Sequence, residues 1–107
     1  HIEIKEGSSV SEIFKNKGEI YFRKIEHMYL NELLSQNTNT VLSLGGGTPC
    51  YSNNMELLKD TNVQSYYLKM TSNNLVNRLF DEKDNRPLIS HLKTFNKENS
   101  RPRWLHW

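Results

Sequence analysis

Between Glu19 and Ser35 the apolar residues Phe22, Ile25, Tyr29 and Leu33 recur at three- and four-residue steps. That period predicts an amphipathic helix with one face on a core, and it places Arg23 and Glu26 together on a neighbouring face. Upstream, Ser9-Val10-Ser11-Glu12 has capping-box spacing, in which the Ser9 hydroxyl and the Glu12 carboxylate each satisfy a backbone N–H of the other. A short helix should start there and stop near Gly18. Asn53 and Glu56 repeat the spacing ahead of Met55, Leu57 and Leu58, predicting a second short helix. A further helix from about Ser72 to Phe80 carries Leu75, Val76, Leu79 and Phe80.

Two segments follow a different pattern. Val41-Leu42-Ser43-Leu44 is a short apolar run between the polar Gln36-Asn37-Thr38-Asn39 and Gly45-Gly46-Gly47-Thr48-Pro49-Cys50, as expected of a buried parallel strand. Val63 to Met70, rich in aromatic and β-forming residues, reads as the next strand. Strands interleaved with helices give an α/β protein. The three glycines lack a Cβ, so their backbone can take φ > 0 and can present N–H groups to a small ligand. Ligands collect at the carboxyl ends of strands in open α/β sheets, and this loop stands at such an end. Asp81 to Ile89 is charged and aperiodic, and Arg86-Pro87 favours an extended or turn conformation, which predicts a mobile surface segment. Residues 93–107 show neither a strand nor a helix period and are expected to be a disordered or non-native tail. There are no internal repeats.

At 107 residues the chain is one domain at most, with a core burying roughly two thirds of its unfolded surface. A hydrophobic content of 36% and a mean hydropathy of −0.74 are low for a parallel sheet, so part of the core is expected to be missing or the ends unfolded. The net charge of +2, from 14 basic and 12 acidic residues, is too mild and scattered to argue for nucleic acid. One cysteine excludes an internal disulfide and suggests a reducing compartment, and no Cys/His spacing resembles a zinc site. No apolar run is long enough for a membrane span and no signal-like segment opens the chain, so a soluble cytoplasmic protein is expected. The histidines and Cys50 carry no catalytic role in this reading: His27 is expected on a helix surface, and Cys50 as a small, partly buried residue.

Taken together, Gly18-Glu19-Ile20-Tyr21-Phe22-Arg23-Lys24-Ile25-Glu26, then Leu42-Ser43-Leu44-Gly45-Gly46-Gly47-Thr48-Pro49, then Arg86-Pro87-Leu88-Ile89 resemble shikimate kinase, in the family's order. The likeness covers about residues 2–92, with a substrate-binding region over 1–60 and a lid over about 81–91. It implies a three-layer P-loop kinase fold of the nucleoside-monophosphate kinase type, built on a parallel sheet. It also implies transfer of the ATP γ-phosphate to the 3-hydroxyl of shikimate, with ATP and Mg²⁺ required, by a monomer.

By the same resemblance Arg23 would clamp the shikimate carboxylate. A guanidinium makes a planar, bidentate, charge-assisted pair that lysine cannot copy. Glu26 would orient that arginine or take a hydroxyl; from local sequence alone the two are an exposed ion pair worth roughly a few tenths of a kcal/mol. Gly45, Gly46 and Gly47 would offer backbone N–H groups to the substrate, Gly46 foremost. They are not a Walker loop, because no Lys-Ser or Lys-Thr follows. Arg86 would sit in the lid and stabilise charge on the transferred phosphoryl group; read locally it is a solvated loop arginine. Arg78 stands near the place of an arginine that packs on adenine in the family, though one residue too far from Arg86.

The chain departs from the family pattern in three places. The strand and glycine-rich P-loop expected before residue 1, an acidic pair expected just before His1, and the helix, substrate arginine and last strand expected after the lid are all absent. The P-loop strand would lie between the two strands read above, so these would stand about 9–10 Å apart with unpaired backbone groups between them. The 107 residues alone are therefore expected to show no cooperative thermal transition and no phosphorylation of shikimate. The alternatives are another small-molecule P-loop kinase, such as a gluconate kinase-like protein, and a non-catalytic module for a carboxylated ligand or a partner protein.

Overall fold

The computed structural model describes residues 1–88. Ile89, the end of the lid and the 93–107 tail lie outside the described residues. The chain divides into two units, His1–Ser65 and Tyr66 onward.

The first unit is built on α1 (Ile2–Glu6) and α2 (Val10–Ser35). Ser9 caps α2 as its spacing predicts, its hydroxyl accepting from the Glu12 N–H at 3.2 Å. A further N–H of the first turn is satisfied from α1: the Val10 N–H donates to the Glu3 carboxylate at 3.0 Å. Gly7 turns the chain between the helices at φ 69°, a left-handed conformation that glycine adopts at no steric cost. Gly18 interrupts α2 at φ 85° and ψ 171°, so the predicted stop is a kink, and a second helical stretch runs on to Ser35. The core is Ile13, Phe22, Ile25 and Tyr29, with Ile2, Val10, Phe14 and Tyr21 packed on it and Leu30 also buried. Leu33, expected on the core face, is half-buried. Polar ties add to this core: the Tyr21 and Tyr29 hydroxyls donate to the Glu6 carboxylate at 3.3 and 3.5 Å.

After α2 the chain runs without regular structure to a 3₁₀ turn at Thr48–Cys50, and then to α3 (Asn54–Leu58). Here the reading of Val41 to Leu44 as a buried strand is corrected. No strand forms among the described residues; Val41 is 98% exposed and Leu44 38%. Val63 to Met70 likewise forms no strand, and Tyr66 and Leu68 are exposed. A strand exists only through a ladder of hydrogen bonds to a neighbouring strand, and no such ladder is formed among the described residues. The second capping box is also corrected: the Asn53 side chain makes no cap bond, and the Glu56 N–H instead donates to the Asn53 carbonyl at 3.0 Å.

The second unit contains α4 (Ser72–Phe80), which has the predicted bounds. Thr71 caps it, accepting from the Asn74 N–H at 3.3 Å. Leu75, Val76 and Leu79 are half-buried. The charged segment beyond it is not shapeless, since Lys83–Asn85 forms a 3₁₀ turn. No helix among the described residues is long and apolar enough to cross a membrane.

Candidate functional site

The amphipathic helix α2 turns two stripes inward. One is the apolar face of Phe22, Ile25 and Tyr29; the other is polar, with Glu19, Arg23, His27 and Asn31 at four-residue steps. Against this second stripe lies the turn from Gly45 to Cys50, closed by the Thr48 N–H donating to the Gly45 carbonyl at 3.0 Å and the Cys50 N–H to that of Gly47 at 3.0 Å.

Arg23 is the centre of the site. Its side chain is only 10% exposed, and its Nη1 donates to Glu26 Oε1 at 2.9 Å. The local expectation of an exposed pair is thus corrected, because the turn carrying Thr48 covers both partners. The Tyr51 ring lies 4.1 Å from the guanidinium carbon, a cation–π distance. Tyr51 is itself tied down, its hydroxyl donating to Glu19 Oε1 at 3.0 Å. The guanidinium also rests on Gly47. A Cβ there would stand 2.6 Å from Nη2 and 2.8 Å from Nη1, so only glycine admits the arginine in this position.

Glu26 is buried, and both its oxygens are used: Oε1 by Arg23 and Oε2 by the Thr48 hydroxyl at 2.9 Å. That leaves Nε and Nη2, the side-on edge of the fork, outside the Glu26 pair. Nε is buried with no hydrogen-bond acceptor; the nearest carboxylate oxygen, Glu19 Oε1, stands 3.6 Å away. A buried donor without an acceptor costs about 1–3 kcal/mol, and a ligand carboxylate could recover it on that edge only with the Glu19 carboxylate turned aside.

The structure brings Arg23, Glu26, Gly45 and Gly47 together, and Gly46 lies exposed between the two glycines. The reason for glycine is corrected. The positive-φ glycines of the described residues are Gly7 and Gly18, and Gly47 has φ −89°, so close approach and not backbone hand is what position 47 requires. Arg78 and Arg86 belong to the second unit. Arg78 is exposed in the last turn of α4, and Arg86 Nη2 pairs with Glu82 Oε2 at 2.9 Å with about half its side chain in solvent.

Sequence reasoning missed Thr48, Asn54, His27 and Tyr51. His27, expected at the surface, is half-buried and bonded through both ring nitrogens, to Asn54 and to Asn31. The polar stripe at four-residue steps was the available signal. Cys50, expected partly buried, is exposed. Burial pushes the Tyr51 phenol up, with the hydrogen bond to Glu19 and the Glu19 charge adding to this and the Arg23 charge opposing it.

A family profile described as shikimate kinase matches residues 1–103. The chain is 48% identical over 91 residues to a shikimate kinase of Flavobacterium johnsoniae, an alignment covering 85% of this chain and 53% of that protein. It is 45% identical over 91 residues to the shikimate kinase of Flavobacterium psychrophilum, with the same coverage of 85% and 53%. For a Clostridium botulinum shikimate kinase the identity is 40% over 94 residues, covering 87% and 54%. The chain thus spans about half the length of the curated relatives it matches. No solved structure matches it. On the extent of the profile match and the identity to these relatives, the chain belongs to the shikimate kinase family.

Proposed function

We propose that the Arg23 site is the shikimate-binding part of a shikimate kinase, which transfers the ATP γ-phosphate to the 3-hydroxyl of shikimate. The observation that carries this reading is the buried side-on edge of Arg23, whose Nε has no acceptor. Nε and Nη2 would take the two carboxylate oxygens of shikimate, while Glu26 holds the opposite end of the guanidinium and prevents its rotation. The exposed Gly46 would present its N–H to the same ligand. Val41 to Leu44 and Val63 to Met70 would be strands of the parallel sheet of the P-loop kinase fold that the family implies, in the three-layer arrangement. Substrate and cofactor partners are then shikimate and ATP.

The described residues do not fit ATP and Mg²⁺ on their own. The sequence has no glycine-rich loop ending in Lys-Ser or Lys-Thr to cradle the phosphates. Among the described residues no three histidine, cysteine, aspartate or glutamate side chains come together as a metal site. For Arg86 in the lid and Arg78 beside adenine, the support is their place in the family's motif order.

The test is calorimetric titration of shikimate into the full-length protein and its Arg23→Lys variant. Lysine keeps the charge and loses the planar fork, so the dissociation constant should rise roughly thirtyfold, equivalent to about 2 kcal/mol. Unchanged affinity in a folded Arg23→Lys protein would remove Arg23 from the site.

A further inference from the structure

Asn54 is fully buried, at 0% exposure, on a helix of only five residues, and it takes no part in the apolar core. Its amide is used at both ends. Nδ2 donates to the Thr48 carbonyl at 2.8 Å, and Oδ1 faces His27 Nδ1 at 2.6 Å. A carbonyl can only accept, so the amide orientation is fixed, and His27 Nδ1 must carry the hydrogen that Oδ1 receives. Nε2 of the neutral ring is then an acceptor, and the Asn31 amide donates to it at 3.1 Å while its second hydrogen reaches the His27 carbonyl at 3.3 Å. Every group in this series has a role compatible with its neighbour.

The series does not end at Thr48. The residue whose carbonyl Asn54 holds is the one whose hydroxyl donates to Glu26, and Glu26 holds Arg23. We propose that Asn54, oriented by His27, is a positioning residue for the carboxylate pocket. It fixes the Thr48 backbone against α2, and so sets the distance of the glycine turn from the Arg23 guanidinium. The proposal rests on the reading of that pocket as the shikimate site. Gly47 shows how tight the setting is: the guanidinium nitrogens lie 2.6 and 2.8 Å from where a Cβ on that residue would be, so a drift of the turn changes the pocket directly. Neither Asn54 nor His27 touches the ligand edge of Arg23; both act through Thr48.

The experiment uses the full-length protein and three variants. Asn54→Asp keeps the shape but sets an oxygen against the Thr48 carbonyl. His27→Leu removes the donor to Asn54, and His27→Asn restores an N–H near the position of Nδ1. The dissociation constant for shikimate should rise about tenfold to a hundredfold in Asn54→Asp and in His27→Leu, the size expected of a misplaced pocket. It should return towards the parent value in His27→Asn, with ATP affinity unchanged throughout. Should Asn54→Asp fail to fold, the two His27 variants carry the same comparison. Parent-like shikimate affinity in folded Asn54→Asp or His27→Leu overturns the proposal.

A nitrogen-15 NMR spectrum separates this from failure of the shikimate reading. If the parent protein does not bind shikimate, that reading fails, and the positioning is still read directly. The parent should show the Nδ1–H tautomer of His27 and a protected Arg23 Nε–H, with the latter lost in His27→Leu. An Nε2–H tautomer in the parent, or an unaltered Arg23 signal in the variant, overturns the proposal.

Discussion

Two arginines in this chain each hold a glutamate at 2.9 Å across one helical turn or its equivalent, Arg23 with Glu26 and Arg86 with Glu82. Distance does not distinguish them. The Arg23 and Glu26 side chains are 10% and 6% exposed, whereas those of Arg86 and Glu82 are 51% and 60% exposed. A solvated pair is screened and costs side-chain entropy to hold, so it contributes about 0–1 kcal/mol. A buried pair has lost its water, and its members depend on each other, so removing one strands a charge at a cost of about 3–5 kcal/mol. The difference between a buried pair and a solvated one is therefore set by what covers it. For Arg23 the cover is the Tyr51 ring, the Gly47 backbone and the Thr48 hydroxyl on Glu26.

The largest expected effect breaks the comparison at its centre. Glu26→Ala in the full-length protein should lower unfolding stability by about 3 kcal/mol or more, and Glu82→Ala by less than about 1 kcal/mol, measured by denaturant midpoints. Equal losses would show that burial does not separate the two pairs. Next comes Gly47→Ala, whose new methyl would meet both terminal nitrogens of Arg23 below 3.0 Å. The guanidinium is held by Glu26 and faced by Tyr51, so the overpacking costs about 1–3 kcal/mol and displaces Arg23. Shikimate affinity should fall in Gly47→Ala and be much less affected in Gly45→Ala, where the nearest atoms are 3.2 and 3.4 Å away. A Gly47→Ala protein with parent-like affinity would mean that the guanidinium can move without loss.

Replacing Tyr51 by leucine removes the ring over Arg23 and should weaken shikimate binding by about 0.5–2 kcal/mol in calorimetry. No change there would assign the ordering of Arg23 to Glu26 alone. The smallest effect is a pH dependence. The folded-state pKa of Tyr51 is raised, by burial first and then by Glu19. The folded state therefore favours the neutral phenol. That contribution is fully present below the ordinary phenol pKa of about 10 and fades as pH rises through the raised value. Tyr51→Phe should abolish this part of the alkaline loss of stability, together with one late-titrating phenol in ultraviolet absorbance.

How much could be read in advance follows the range of each interaction. The Ser9 cap, the α2 apolar face and the bounds of α4 were legible because their determinants lie within one or two helical turns. Asn53 has the spacing of a cap, yet Asn54 beside it makes the consequential bonds, since its partners Thr48 and His27 are supplied by other elements. The two expected strands were readable as β-forming sequence, but their ladders need neighbouring chain that the described residues do not contain.

The sequence by itself therefore determined α2 and α4, the family, and the identity of Arg23, Glu26 and the glycines as candidate chemistry. It did so through period, capping and motif order, which act locally along the chain. The tertiary structure decided that the Arg23–Glu26 pair is buried where the Arg86–Glu82 pair is solvated, and that Gly47 is needed for closeness. It also decided that His27 and Asn54 hold the turn. Burial and close approach arise only when distant segments meet, because they depend on which atoms displace water from which others.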